Sequence, residues 1–126
     1  MQVEIAPGEL VDKITILAIK RERIADAAKL KNVEHEYGIL MAILPPEFQI
    51  DARLRQLQTE LKAVNEVIWQ VEDDIRDHER RKDFGPSFVE LARAVYINND
   101  QRAALKREIN VALQSAIVEE KSYSAY

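Results

Sequence analysis

Chemically reactive side chains are most concentrated between residues 67 and 81, in the stretch VIWQVEDDIRDHERR. It contains five carboxylates, three arginines, one of the two histidines and the only tryptophan of the chain. Carboxylates are the hard oxygen ligands that Mg²⁺ prefers, so a metal-dependent reaction is the first chemistry to consider. Only side chains three or four positions apart share a helix face, which leaves Asp74 and Asp77 as one pair. One pair offers too few ligands, and we therefore predict no metal site.

Helical ion pairing accounts for the same charges without any ligand. Most of the acids lie three or four positions before a basic residue, which is the order that helices favour: Glu72 and Asp73 before Arg76, Asp77 before Arg80 and Arg81, and Asp74 before His78. We interpret His78 as a packed or capping residue near a helix end. No serine or cysteine motif accompanies it, so nucleophilic catalysis of the triad type has no basis in the sequence.

Trp69 is the residue of this stretch that ion pairing does not explain. The apolar seam of the helix passes through Ile68, which places the indole ring off the seam and among charged neighbours. One interpretation is that another part of the chain covers the ring. The alternative is that Trp69 anchors a binding site, since Trp and Arg are enriched at the energetic centres of interfaces. The other members of that site would be Glu72, Asp73 and Arg76.

A second polar cluster follows between residues 90 and 102, where its binding candidates are Arg93, Tyr96 and Arg102. One interpretation is an ion-pair and capping network at a helix corner. The other is an anion-binding site, because a guanidinium presents a planar fork to carboxylate or phosphate. A helix predicted to begin near Asn99 would add its N-terminus to such a site.

One alternative is an enzyme similar to the all-helical, Mg²⁺-dependent nucleotide pyrophosphatases. Those enzymes use acidic pairs three positions apart on two helices, and Glu9 with Asp12 and Asp74 with Asp77 resemble such pairs. The chain has no Glu-x-x-Glu pair, which departs from the pattern of that family.

Another alternative is a helical enzyme similar to chorismate mutase. The stretch LVDKITILAIKRERI loosely resembles the first helix of those enzymes, in which cationic side chains bind a dicarboxylate. The candidates here are Arg21 or Arg23 with Lys31 and Arg55. Whether the protein is an enzyme therefore stays open, and we predict no cofactor.

The spacing of apolar residues predicts an all-α fold of about five helices that would position these side chains. After an extended arm of residues 1–7, a first helix begins near Glu9, and its apolar run ITILAI indicates a buried element. Asp26 is a plausible N-cap of the second helix, which Pro45 ends. The segment PPEFQ is then a short connection.

The third helix, from about residue 51 to 82, has the clearest pattern. Its apolar residues alternate at spacings of three and four over three heptads: Leu54, Leu57, Leu61, Val64, Ile68, Val71 and Ile75. At 1.5 Å per residue it would be roughly 45 to 50 Å long, whereas a compact domain of this size has a radius of gyration of about 14 Å. We therefore predict an elongated bundle, with coiled-coil packing, that forms a homodimer.

The remaining elements follow from helix start and stop signals. Gly85 is predicted to take the left-handed turn that ends the long helix, and Pro86 to begin a short fourth helix. Asn98, Asn99 and Asp100 are predicted caps of a fifth helix that runs to about Glu119. The C-terminal tail, residues 121–126, contains two tyrosines whose order depends on a surface on which to pack.

Composition narrows the classes of function. With 22 acidic and 18 basic residues the net charge is -4, which disfavours nucleic acid as a partner. The absence of cysteine excludes disulfides and thiol catalysis. The start MQVEIAPGEL lacks the pattern of a secretory signal, and no segment is long and apolar enough for a membrane span, so we expect a cytoplasmic location and no membrane partner.

Several stretches resemble a family of small bacterial proteins that is known only as a domain of unknown function. They are GELVDKITIL, EDDIR, DFGPSFVELARAVYINNDQRAALKREIN and IVEEKSY. The resemblance implies bacterial origin and a helical fold, and it implies no catalytic residue. Members often carry proline after the aspartate at the first helix break, where this chain has Ala27.

Together these features predict one helical domain, residues 1–126. We expect it to act as a homo-oligomeric module that binds a protein or a small anionic ligand, without covalent or metal catalysis.

Overall fold

The computed structural model describes residues 1–126, which form five α-helices and no β-strand. The predicted all-α fold class is confirmed. The helices are α1 (Pro7–Arg23), α2 (Ala27–Ala42), α3 (Glu47–Ile50), α4 (Ala52–Arg81) and α5 (Pro86–Ala112). None of these helices combines the length and apolar character that a membrane span requires.

The first helix lies at the centre of the fold and contacts α2, α4 and α5. Ile14, Thr15, Leu17 and Ile19 are all buried, so the predicted burial of the run ITILAI is confirmed. A helix that is covered on several sides must be apolar on most of its circumference, and this explains the composition of that run. By contrast, α2 contacts only α1, so the opposite side of α2 is uncovered.

The apolar core lies where α1 and α4 begin and α5 ends. Its members are Val11 of α1, Phe48 of α3, Leu54, Leu57 and Leu61 of α4, and Ile109 of α5. The core contains no charged side chain, and its residues from α4 belong to the predicted stripe at spacings of three and four. The remainder of the contact between α4 and α5 extends away from this core along two long antiparallel helices.

Helix ends follow the predicted signals in part. The Asp26 side chain accepts a hydrogen bond from the backbone N–H of Lys29 at 2.9 Å, which confirms the predicted N-cap. The prediction for Gly85 is wrong, because Gly85 has an ordinary φ of -76°. Lys82 takes the left-handed conformation instead, with φ 55°, directly after the last residue of α4. Pro86 begins α5 as predicted.

The predicted fourth and fifth helices are one continuous helix, α5. Asn98 and Asn99 do not cap a helix start, because their side chains donate to the carbonyls of Ala94 and Val95, one turn earlier. These bonds satisfy the amides inside a helix, and packing against α4 favours its continuation. The helix ends at Ala112 rather than near Glu119, and the predicted connection PPEFQ contains the start of α3.

The chain ends outside regular secondary structure. Residues 1–6 precede α1, and residues 113–126 follow α5 and fold back along it. The hydroxyl of Tyr126 donates to the Asp100 carboxylate at 2.5 Å, and its ring packs edge-on against Tyr96 with centroids 5.1 Å apart. Tyr126 thus finds a surface on α5.

Two glycines test how closely α1 approaches α5. A Cβ at Gly8 would lie 2.4 Å from the carbonyl oxygen of Lys106, whereas a Cβ at exposed Gly38 would meet no atom within 4 Å. We expect Gly8→Ala to lower the free energy of unfolding by about 2 kcal/mol or more, because the backbones must separate. Gly38→Ala should raise it by about 0.5 to 1 kcal/mol, because alanine favours a helix interior. Urea unfolding followed by circular dichroism measures both, and equal effects would contradict the close approach.

Candidate functional site

The most deeply buried charged side chain, Asp12 of α1, forms an ion pair with Arg102 of α5. Asp12 is 1% exposed, and its two carboxylate oxygens accept hydrogen bonds from Nε and Nη2 of Arg102 at 2.8 and 2.5 Å. This two-point geometry fixes both distance and orientation. The hydrogen bonds to Asp12 raise the pKa of Arg102 above its ordinary value, so the guanidinium stays charged.

The Asp12 carboxylate also binds α4. The side-chain amide of Asn65 donates to Asp12 and to the Thr15 hydroxyl, in both cases at 2.9 Å. Thr15 in turn donates to the backbone carbonyl of Asp12 at 2.8 Å. Three helices therefore meet at one carboxylate, and no buried side-chain oxygen or nitrogen is left without a partner.

Lys106 lies one turn after Arg102 on α5 and joins a second pair of acids. Its ammonium binds Glu9 of α1 and Glu119 of the tail, each at 2.8 Å, and its side chain is 11% exposed. Burial alone would lower the pKa of Lys106, but the hydrogen bonds to Glu119 and Glu9 outweigh it and raise the pKa. We name Glu9, Asp12, Thr15, Asn65, Arg102 and Lys106 the buried ionic network.

Helical spacing explains why these residues converge. Glu9 and Asp12 are three apart on α1, and Arg102, Lys106 and Asn110 are spaced by four on α5, so each set shares one helix face. Asn110 continues the contact, because its side-chain oxygen accepts the backbone N–H of Gly8 at 2.7 Å. The two polar faces meet in antiparallel order: higher residue numbers on α1 contact lower ones on α5.

Next to the network a cavity of about 290 Å³ opens between α1 and α4. We name it the Trp69 groove, and it is lined by Ile16, Ile19, Asn65, Ile68, Trp69, Glu72, Asp73, Arg76 and Arg102. The structure thus brings together five of the seven residues that the sequence suggests as binding candidates. Trp69 is partly exposed and shares the groove with two isoleucines of α1, so a neighbouring helix covers only part of the ring.

The other two candidates, Arg93 and Tyr96, lie apart from this groove. Arg93 is exposed and pairs with Glu90 at 3.2 Å, while the Tyr96 ring packs on Tyr126. The predicted anion site used a helix N-terminus near Asn99, and it is wrong in that respect because α5 is continuous there. Arg102 turns toward α1 instead.

Several charged residues of the stretch 67–81 form the ion pairs that helical spacing predicts. Arg76 pairs with Glu72, and both Arg80 and Arg81 pair with Asp77. These ion pairs are confirmed, and the hydrogen bond from Arg80 lowers the pKa of Asp77. No three acidic or histidine side chains lie close enough together to hold a metal ion.

His78 links the two long helices at their turn. Its Nδ1 forms a hydrogen bond with the backbone carbonyl of Asp74 at 2.9 Å, and its Nε2 forms one with the Ser87 hydroxyl at 3.0 Å. His78 therefore packs between the end of α4 and the start of α5, while the backbone N–H of Lys82 caps α4.

The cations of the alternative similar to chorismate mutase do not share a site. Arg21 pairs with Glu34 at 2.8 Å and stacks on the Tyr37 ring, on the outer side of α1 and α2. Lys31 and Arg55 are exposed on α2 and α4. The acidic pair of the other alternative, Glu9 and Asp12, is already bound by the cations of α5.

Sequence reasoning missed Asn65, Lys106 and Glu119 as members of a site. A signal exists for Lys106, because it shares a helix face with Arg102 and Asn110 and directly follows Leu105, which packs on the core. No local pattern indicates the partner of Arg102, since Asp12 is 90 positions away in the sequence.

The ion pair with Asp12 predicts that replacing Arg102 destabilises the protein more than replacing Arg107, another arginine of α5. We expect Arg102→Gln to lower the free energy of unfolding by about 3 to 5 kcal/mol, because it leaves the Asp12 carboxylate buried without its cation. Arg107→Gln is the matched control: its pair with Glu120 is exposed and 3.5 Å long, so it should cost less than about 1 kcal/mol. Chemical unfolding at neutral pH compares them, and a small effect at Arg102 would refute the structural role of the pair.

Comparison with known proteins gives a family and no activity. No curated protein and no solved structure matches the chain. The model of DUF6165, described as a family of unknown function, matches residues 1–126. Because the match spans every residue from the arm to the tail, the protein belongs to the DUF6165 family.

Proposed function

We propose that the protein is a binding module that recognises a small zwitterionic ligand in the Trp69 groove. The observation that carries the proposal is the convergence of an indole ring, two guanidinium groups and two carboxylates on one cavity of about 290 Å³. Recognition needs no metal and no nucleophile. A cytoplasmic location and a bacterial origin, both expected from the sequence, stay predictions.

The size and floor of the groove suit a small molecule. Ligand pockets commonly enclose about 300 to 1,000 Å³ and combine an apolar lining with a few placed polar groups. Ile16, Ile19, Ile68 and Trp69 supply the apolar surface here. An aliphatic or aromatic ligand body would pack against the indole ring.

The polar groups favour a ligand that carries both charges. Arg102 donates hydrogen bonds from Nε and Nη2 to Asp12 and from Nη1 to the side-chain oxygen of Asn99. Its remaining N–H groups are available to a ligand carboxylate. At the rim, Arg76 adds a second guanidinium, while the Asp73 carboxylate has no ion-pair partner and would attract an ammonium group. The groove thus offers guanidinium N–H donors and one acid without an ion-pair partner, which narrows the expected anionic ligand to one with both a carboxylate and an ammonium group.

The single tryptophan makes the groove directly measurable. We expect at least one free amino acid to change the fluorescence of Trp69 in a saturable titration. The corresponding amine without the carboxylate, and the acid without the amine, should bind about tenfold more weakly or worse, because each loses a charge-assisted hydrogen bond.

Two arginines of α4 provide the matched variants for this titration. Arg76→Gln should weaken binding about tenfold, because Arg76 lines the groove. Arg80→Gln should leave binding unchanged, since Arg80 pairs with Asp77 outside the groove. If none of the twenty amino acids changes the emission, or if both variants weaken binding equally, the proposal fails.

A second proposal is self-association, and it is supported by the amount of exposed surface. A compact monomer of 14.5 kDa exposes about 6,900 Å², whereas this chain exposes 8563 Å². An interface that buries about 800 Å² on each copy would remove about half of this excess. The uncovered side of α2 offers such a surface, with Ile39 in α2 and Ile43 directly after it 53% and 62% exposed.

Sedimentation velocity at micromolar concentration tests the dimer. We expect the wild type to sediment with the mass of two chains. Replacing both Ile39 and Ile43 by Glu should yield monomers, because four carboxylates would then meet in an apolar contact. Val89→Glu is the control, since Val89 is 50% exposed on α5, away from α2. A wild-type monomer, or a dimer that all variants retain, would exclude this interface.

A further inference from the structure

The C-terminal tail lies in a cationic cleft along α5. We name the α5 cleft the surface formed by Arg102, Lys106 and Arg107 together with tail residues Glu119, Glu120 and Lys121. It consists of two adjoining cavities of about 170 and 220 Å³ that share Ala103, Lys106, Glu119 and Lys121. This surface is distinct from the Trp69 groove, and Arg102 is the residue that both have in common.

Two neighbouring acids of the tail bind two neighbouring cations of α5. Glu119 contacts the Lys106 ammonium at 2.8 Å, and Glu120 contacts the Arg107 guanidinium at 3.5 Å. The tail reaches these cations without helix or strand, so its backbone presents carboxylates from an open chain. Six residues after Glu120, the ring of Tyr126 packs on Tyr96.

The tail contacts α5 only through exposed residues. Residues 116–126 are all exposed, and the ion pairs to α5 involve Glu119 and Glu120 side chains that are 51% and 73% exposed. The cation that Glu119 binds is much less exposed than Glu119 itself. This cation, Lys106, is nearly buried, and Glu9 is its other acidic partner. Removing the tail would thus uncover a fixed, partly desolvated ammonium group without disturbing the apolar core.

We propose that the α5 cleft is a docking site for an acidic peptide segment of another protein, and that residues 115–126 are its built-in competitor. When the tail lies along α5, Glu119 and Glu120 occupy the positions that two adjacent carboxylates of the partner would take. The arrangement of the tail defines the partner: an extended segment with two consecutive acids followed by an aromatic residue. Recognition of an extended chain distinguishes this partner from a free anion, which could contact Lys106 without the ring contact at Tyr96.

Fluorescence anisotropy with a labelled peptide tests the proposal on the full chain. The probe is the synthetic peptide SAIVEEKSYSAY, which reproduces residues 115–126. A tethered competitor has an effective concentration on the order of millimolar, so the wild type should bind the peptide weakly. The variant Glu119→Gln with Glu120→Gln should bind it at least about tenfold more tightly, because its own tail no longer competes for the cations. These substitutions affect exposed side chains and should leave the helical circular dichroism unchanged.

Matched controls separate this mechanism from a change in net charge. Glu4→Gln with Glu36→Gln removes the same two charges from exposed positions outside the α5 cleft and should bind the peptide as weakly as the wild type. In the variant with the neutralised tail, adding Arg107→Gln should weaken peptide binding several-fold. A peptide with glutamine at both glutamate positions should not bind.

Three results would overturn the proposal. The first is equal affinity of the wild type and the neutralised variant for the acidic peptide. The second is complete displacement of the peptide by inorganic phosphate at the peptide's own concentration, which would indicate a free-anion site. The third is a change from dimer to monomer in the neutralised variant, which would assign the cleft to the tail of a second copy. None of these readouts depends on a ligand in the Trp69 groove.

Discussion

The buried ion pair between Asp12 and Arg102 sets the arrangement of the three principal helices. A carboxylate that is 1% exposed is costly to bury unless its cation and hydrogen-bond donors are in place. The two-point contact with Arg102 therefore fixes the register of α1 against α5, and the bond from Asn65 adds α4. A slip of one residue would turn the Asp12 side chain away from both partners.

Burial in this protein is limited, which gives the polar contacts more influence on the fold. Only 19 of the 126 residues are buried, and six of them form the apolar core at one end. That core stabilises the bundle but accepts many apolar arrangements, because apolar contacts are not directional. The ionic network is directional, and in this fold it supplies specificity of helix pairing: Glu9 with Lys106 and Gly8 with Asn110 repeat the same antiparallel register.

The sequence predicts local structure better than it predicts the candidate site. Spacings of three and four along α4 indicate its buried stripe, and an apolar circumference indicates the burial of α1, because both are properties of one helix. The predicted break at Asn98 and Asn99 fails because their side chains bond within the helix. Pairing between α1 and α5 depends on tertiary contacts that helical spacing does not encode. Even so, the stretches GELVDKITIL and IVEEKSY, quoted for their resemblance to the family, supply Asp12 and Glu119.

Arg102 connects the two proposed binding surfaces, since it lines both the Trp69 groove and the α5 cleft. Its guanidinium is held by Asp12 on one side and by the Asn99 oxygen at 3.3 Å on another, so movement from one surface to the other would break these hydrogen bonds. Electrostatic coupling between the surfaces requires no such movement. A carboxylate at either surface shares the positive charge of Arg102, and the two occupants would disfavour each other by a coupling that is equal in both directions. Movement of the tail would change ligand affinity in the groove through charge, without rearrangement of the helices.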